Sequence, residues 1–84
     1  MDKFYYAVFE EDENGFLVIF PDLQGCNTFG KTMEDAYEMA IDALSAWLEH
    51  VDVCDIPKKR STFLDIKKRY SDKEIIIPIP VVNL

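Results

Sequence analysis

Met33-Glu34-Asp35-Ala36-Tyr37-Glu38-Met39-Ala40-Ile41-Asp42-Ala43-Leu44-Ser45-Ala46-Trp47-Leu48-Glu49-His50-Val51 decides the architecture. Its apolar positions Met33, Ala36, Tyr37, Ala40, Ile41, Leu44, Trp47, Leu48 and Val51 recur at steps of three and one, which places them on one face of an α-helix. Glu34, Glu38, Asp42, Ser45 and Glu49 fall on the opposite side. Thr32 stands where an N-cap belongs, and Glu34 and Asp35 suit the positive end of the helix dipole. His50 suits the negative end. A helix with so wide an apolar stripe needs an apolar surface to lie on.

The upstream segments supply that surface. Residues 3–10, Lys-Phe-Tyr-Tyr-Ala-Val-Phe-Glu, are rich in aromatic and β-branched types and read as a strand. The stretch Glu11 to Gly15 follows as a turn, with Asn14-Gly15 able to take positive φ. Phe16 to Phe20 returns as the second arm of a hairpin and is stopped by Pro21. It is apolar on both faces, so it is expected in the middle of the sheet, one face under the helix and the other against a subunit or partner. Gly25 to Gly30 reads as a third strand that turns into the helix.

Downstream, Pro57 ends the helical region and Lys58-Lys59-Arg60 opens a polar connection. Ser61 is expected to cap a short helix running to Arg69. Six of the nine basic residues lie between Lys58 and Arg69, read as a solvated helix face. Glu74 to Val82 is a final strand. Pro78 and Pro80, two apart, remove N–H groups from the same side of it, so it belongs at a sheet border with its other side paired. The expected class is α+β in the order β-β-β-α-(short helix)-β, an antiparallel sheet covered by one long amphipathic helix in two layers.

Composition narrows the function. Sixteen Asp and Glu against nine Lys and Arg give a net charge of −7, which opposes binding to nucleic-acid phosphates and favours a basic protein partner. Cys26 and Cys54 form no CxxC pair, so neither a zinc ribbon nor a thioredoxin-like site is expected. No apolar run approaches the ~20 residues that cross a bilayer. The start, Met1-Asp2-Lys3-Phe4-Tyr5, lacks a signal peptide's apolar stretch, and the expected location is the cytoplasm. A single histidine provides no partner for a Ser, Cys or Thr nucleophile. The carboxylates sit in a turn and on a helix face rather than at spacings that converge in a cleft. The three glycines make no phosphate-binding loop. The expectation is therefore a protein without catalytic residues, metal or cofactor.

Tyr6-Ala7-Val8-Phe9-Glu10-Glu11-Asp12, Gly15-Phe16, Phe20-Pro21-Asp22-Leu23-Gln24-Gly25-Cys26, Gly30-Lys31-Thr32 and Glu34-Asp35-Ala36 together resemble the HicB-type antitoxin family. The likeness runs over residues 4–50; Gln24 stands where that family often has Pro, and Asp35 where it often has Glu. The resemblance implies a reduced ribonuclease-H-like domain without its catalytic carboxylates. It also implies a role in a type II toxin–antitoxin pair, with a small basic HicA-type ribonuclease toxin as partner, covered over its RNA-binding and active-site face. Self-association as a dimer or tetramer is implied as well. So is a C-terminal DNA-binding segment in many members, which does not occur up to Leu84; residues 1–84 are expected to form one partner-binding domain, whether the protein is a short form or continues beyond Leu84.

The residues expected to meet the toxin are Glu10, Glu11, Asp12 and Glu13 of the acidic turn, Asp22 beside Pro21, and the helix acids Glu34 and Glu38. A charged turn and a charged helix face are also what solvated surface positions look like. The alternative function is an orphan homo-oligomeric regulatory or structural module, and a remnant metal-dependent nuclease follows from fold analogy alone.

Overall fold

The computed structural model describes residues 3–70 and 74–82. Strands β1 (Phe4–Asp12), β2 (Gly15–Ile19) and β3 (Asn27–Gly30) precede helix α1 (Met33–His50). A 3-10 turn at Val53–Asp55, helix α2 (Phe63–Arg69) and strand β4 (Ile75–Pro80) complete the order. The four strands form one antiparallel sheet in the order β3-β2-β1-β4, so the hairpin strands are central and β4 is a border strand. The chain ends Met1 and Leu84 lie outside the described residues. Among the described residues no helix is long and apolar enough to cross a membrane.

Alternation along the strands sorts the sheet into two faces. Tyr5, Ala7 and Phe9 of β1, Phe16 and Val18 of β2, and Ile77 and Ile79 of β4 face α1. There they meet Ala36, Ala40 and Leu44, all fully buried. Burial of each larger side chain contributes roughly 1.5–3 kcal/mol. The helix starts as the sequence indicates, the Thr32 hydroxyl accepting from the Asp35 N–H at 3.0 Å. The helix can approach β3 this closely because position 30 is glycine. A Cβ there would lie 2.3 Å from the Ala36 nitrogen.

Four local expectations are corrected. The β1–β2 turn is only Glu13-Asn14, and Asn14 does not take positive φ; Gly15 does, at 144°. The Asp12 carboxylate makes the tighter turn possible by accepting from the Asn14 and Gly15 N–H groups at 2.7 and 3.1 Å. The third strand begins at Asn27 rather than Gly25, because residues 20–26 fold into two successive turns. In these, Leu23 N–H donates to Phe20 O and Cys26 N–H to Leu23 O, each at 3.0 Å, with Gly25 at φ 83°. Thr62, not Ser61, caps α2. Its hydroxyl accepts from Asp65 N–H while the Asp65 carboxylate accepts from Thr62 N–H, a reciprocal pair that also holds the Asp65 carboxyl below its ordinary value.

The fourth correction concerns the layers. Val8, pointing away from α1, is fully buried, as is Ile66 of α2, and the Tyr6 and Phe63 rings meet edge to face at 6.0 Å. Helix α2 therefore adds a partial third layer on the other face of the sheet. Arg60 fastens the approach to it by donating to Phe4 O at 2.7 Å, with its guanidinium over the Phe4 ring.

The helix–strand contact at position 30 has a direct test. Gly30→Ala should destabilise the fold by about 3 kcal/mol or more, since the clash is with backbone that cannot rotate away. Thermal or urea unfolding measures it, and a loss within experimental error would refute the close approach.

Candidate functional site

Gly15 determines where the acidic hairpin turn lies. A Cβ on it would come within 2.4 Å of Gly30 O and 2.9 Å of Lys31 Cα, so the end of the hairpin rests on the two residues that lead into α1. Glu11, Asp12 and Glu13 at the hairpin tip, and Glu34, Asp35 and Glu38 on the first turns of α1, are consequently gathered at one end of the molecule, all exposed. Sequence spacing separates these groups by more than twenty residues. Sheet pairing brings them together.

The other two expected site residues are placed differently. Asp22 lies at the opposite end, in the turns of residues 20–26, and is half-buried. Its two oxygens accept from Ser61, one from the N–H at 2.7 Å and one from the hydroxyl at 2.6 Å. The same loop is held from α1 by the Trp47 indole, which donates to Gln24 O at 3.0 Å, and by the Cys26 thiol directed at Ala43 O. Phe20, Leu23 and Cys26, three apart, are all buried, and burial pushes the Cys26 thiol up to about 11. Every residue type in Phe20-Pro21-Asp22-Leu23-x-Gly25-Cys26 that has a visible role here is building the loop.

Glu10 is half-buried on the sheet face turned away from α1, in a row with Leu17 and Phe29. Desolvation, a hydrogen bond to the Glu74 carboxyl and the repulsion of that charge together push Glu10 above its ordinary value. Two carboxyls in contact favour one shared proton over two charges. Leu17 and Phe29 beside them are large apolar side chains left exposed.

Sequence reasoning did not assign Leu17, Phe29, Met39, Asp35 or Asp42 to a site. Gly30, Lys31, Asp35, Glu38, Met39 and Asp42 line a groove of about 370 Å³ between β3 and α1, and Phe29 borders it at the strand edge. The signal available was the 35, 38, 39, 42 spacing, which marks a single stripe on the helix. Among the described residues no three His, Cys, Asp or Glu converge in a way that could hold a metal ion.

Two substitutions separate structural from surface acids. Asp22→Ala should lower stability by about 2 kcal/mol, because it removes two hydrogen bonds to a charged acceptor and frees the loop. Glu10→Gln should raise the melting temperature at pH 7. A carboxyl with a raised folded value loses stability as pH rises through that value, so the advantage should disappear on acidification past the ordinary carboxylate range of about 4. Melts at the two pH values measure both effects, and a Glu10→Gln gain equal at pH 7 and pH 4 would contradict the paired-carboxyl account.

Comparison with known proteins agrees with the motif reading. Residues 4–81 match the family described as HicB_like antitoxin of bacterial toxin-antitoxin system. A "UPF0150 protein" of Helicobacter pylori strain J99 is 34% identical over 64 residues, spanning 73% of this chain and 89% of that protein. "Antitoxin HicB 2" of Photorhabdus laumondii is 50% identical over 40 residues, 48% of this chain and 29% of that longer protein. The family match spans both helices and all four strands: the chain belongs to the HicB-like antitoxins of bacterial toxin–antitoxin systems.

Proposed function

We propose that this domain neutralises a small, basic, HicA-type messenger-RNA-cleaving toxin by binding directly over its RNA-binding and active-site face, in the cytoplasm. The observation that carries the reading is the acidic end, where Glu11, Asp12 and Glu13 of the hairpin are seated beside Glu34, Asp35 and Glu38 of α1. A surface that binds RNA presents clustered Lys and Arg, and an opposed set of carboxylates competes for it while raising the association rate. The net charge of −7 extends the same field over the molecule. Glu10, one row in from the tip, contributes to that surface, whereas Asp22 acts through the loop it holds to Ser61.

A second element of the reading is self-association as a dimer or tetramer through the apolar last strand and the residues after it, where Ile75 and Val82 are exposed. The same surface also suits an orphan homo-oligomeric module with no toxin.

Co-expression of this chain with the small basic protein encoded beside it separates the two. The antitoxin reading expects a complex that co-purifies and restores growth. Replacing Glu11, Glu13 and Glu34 by Lys should weaken that complex at least tenfold at low salt and flatten its salt dependence. A neighbour that is harmless alone, or a complex indifferent to those replacements, would sink the proposal.

A further inference from the structure

The two borders of the sheet are chemically unlike. Backbone groups of alternate residues in an antiparallel strand point to alternate sides. Val81 N–H donates to Lys3 O at 2.9 Å, so Val81, Ile79 and Ile77 turn their backbone groups toward β1. Pro78 and Pro80 therefore face outward, and that border lacks two donors. At the other border, Phe20 N–H donates to Cys26 O at 3.2 Å, so Cys26, Thr28 and Gly30 face β2. Asn27 and Phe29 thus turn both N–H and C=O outward, and among the described residues no strand lies beyond β3. One border is closed to strand addition and the other is open to it.

The surroundings of the open border select what can pair there. On the helix side it is flanked by the groove containing Met39, 44% exposed, and the carboxylates Asp35, Glu38 and Asp42, opposed only by Lys31. On the other side lie Phe29, 40% exposed, and Leu17, 38% exposed. A strand added to β3 sends alternate side chains to these two sides. A second copy of this chain, paired β3 to β3, would bring its own acidic stripe to the same border, and like charges oppose that.

We propose that the open border of β3 receives an extended segment of the basic toxin by strand addition, cationic side chains alternating toward Asp35, Glu38 and Asp42 and apolar ones toward Phe29 and Leu17. This deepens the antitoxin reading and rests on it. Main-chain hydrogen bonds to Asn27 and Phe29 hold the segment, and the alternation specifies it.

The test uses the full chain and the toxin encoded beside it, recovered from the co-expressed complex by denaturation and refolding. Asn27 is the first residue of β3, a position where proline is tolerated. Asn27→Pro removes an outward N–H and should weaken binding roughly tenfold while Asn27→Ala leaves it unchanged. Glu38→Lys with Asp42→Lys, on the exposed helix face, should weaken it as much and reduce its salt dependence. A folded Asn27→Pro variant that binds like the parent overturns the proposal. So does one that loses self-association in sedimentation while keeping the toxin, since the border then belongs to a second copy. If Asn27→Pro does not fold, the charge reversals decide, and unchanged affinity overturns it. An unaltered chain that fails to bind the toxin defeats the antitoxin reading itself, whereas binding retained by Asn27→Pro defeats only the border.

Discussion

Close contact between the small-residue stripe of α1 and the sheet is the constraint on which the rest depends. Ala36 sits against the backbone of Gly30 at the start of the helix, and Ala40 and Leu44 continue the contact over Ala7, Phe9 and Val18. Only a glycine at the β3 end of that line lets the helix axis come so near. From this one approach follow the position of Lys31 and Thr32, the seat for Gly15, and hence the place of the hairpin tip. The acidic end is a by-product of how tightly helix and sheet pack.

The other end is fixed by polar contacts. Asp22 ties the 20–26 loop to Ser61, Trp47 ties it to α1, and Arg60 ties the following connection to β1. These hydrogen bonds place α2 across the second face of the sheet, where Ile66 and Val8 are buried away from the main core. A small domain gains from a second apolar cluster, because one core in a chain this short leaves much surface uncovered. The residues that identify the family by sequence are, in this loop, the residues that hold the architecture.

The borders divide the labour of specificity. Prolines in β4 remove donors where uncontrolled pairing would otherwise be available, and β3 is kept to four residues with an acidic helix beside it. A short border flanked by charge discriminates against neutral or acidic strands without forbidding pairing altogether.

The sequence by itself determined the elements and the faces of the long helix. The 3,1 spacing from Met33 to Val51, Thr32 as cap, the hairpin around Gly15 and the proline-marked border strand are local patterns, governed by propensity and periodicity within a few residues. The resemblance carried by Phe20-Pro21-Asp22-Leu23-Gln24-Gly25-Cys26 was legible in the same way. Tertiary structure alone decided that Asp22 holds Ser61 while Glu11 and Glu34 share an end, that α2 covers the far face, and that Glu10 meets Glu74. Those outcomes depend on which segments distant in the chain pack together. A carboxylate in a turn has the same sequence signature whether it faces water, a backbone amide or another carboxyl.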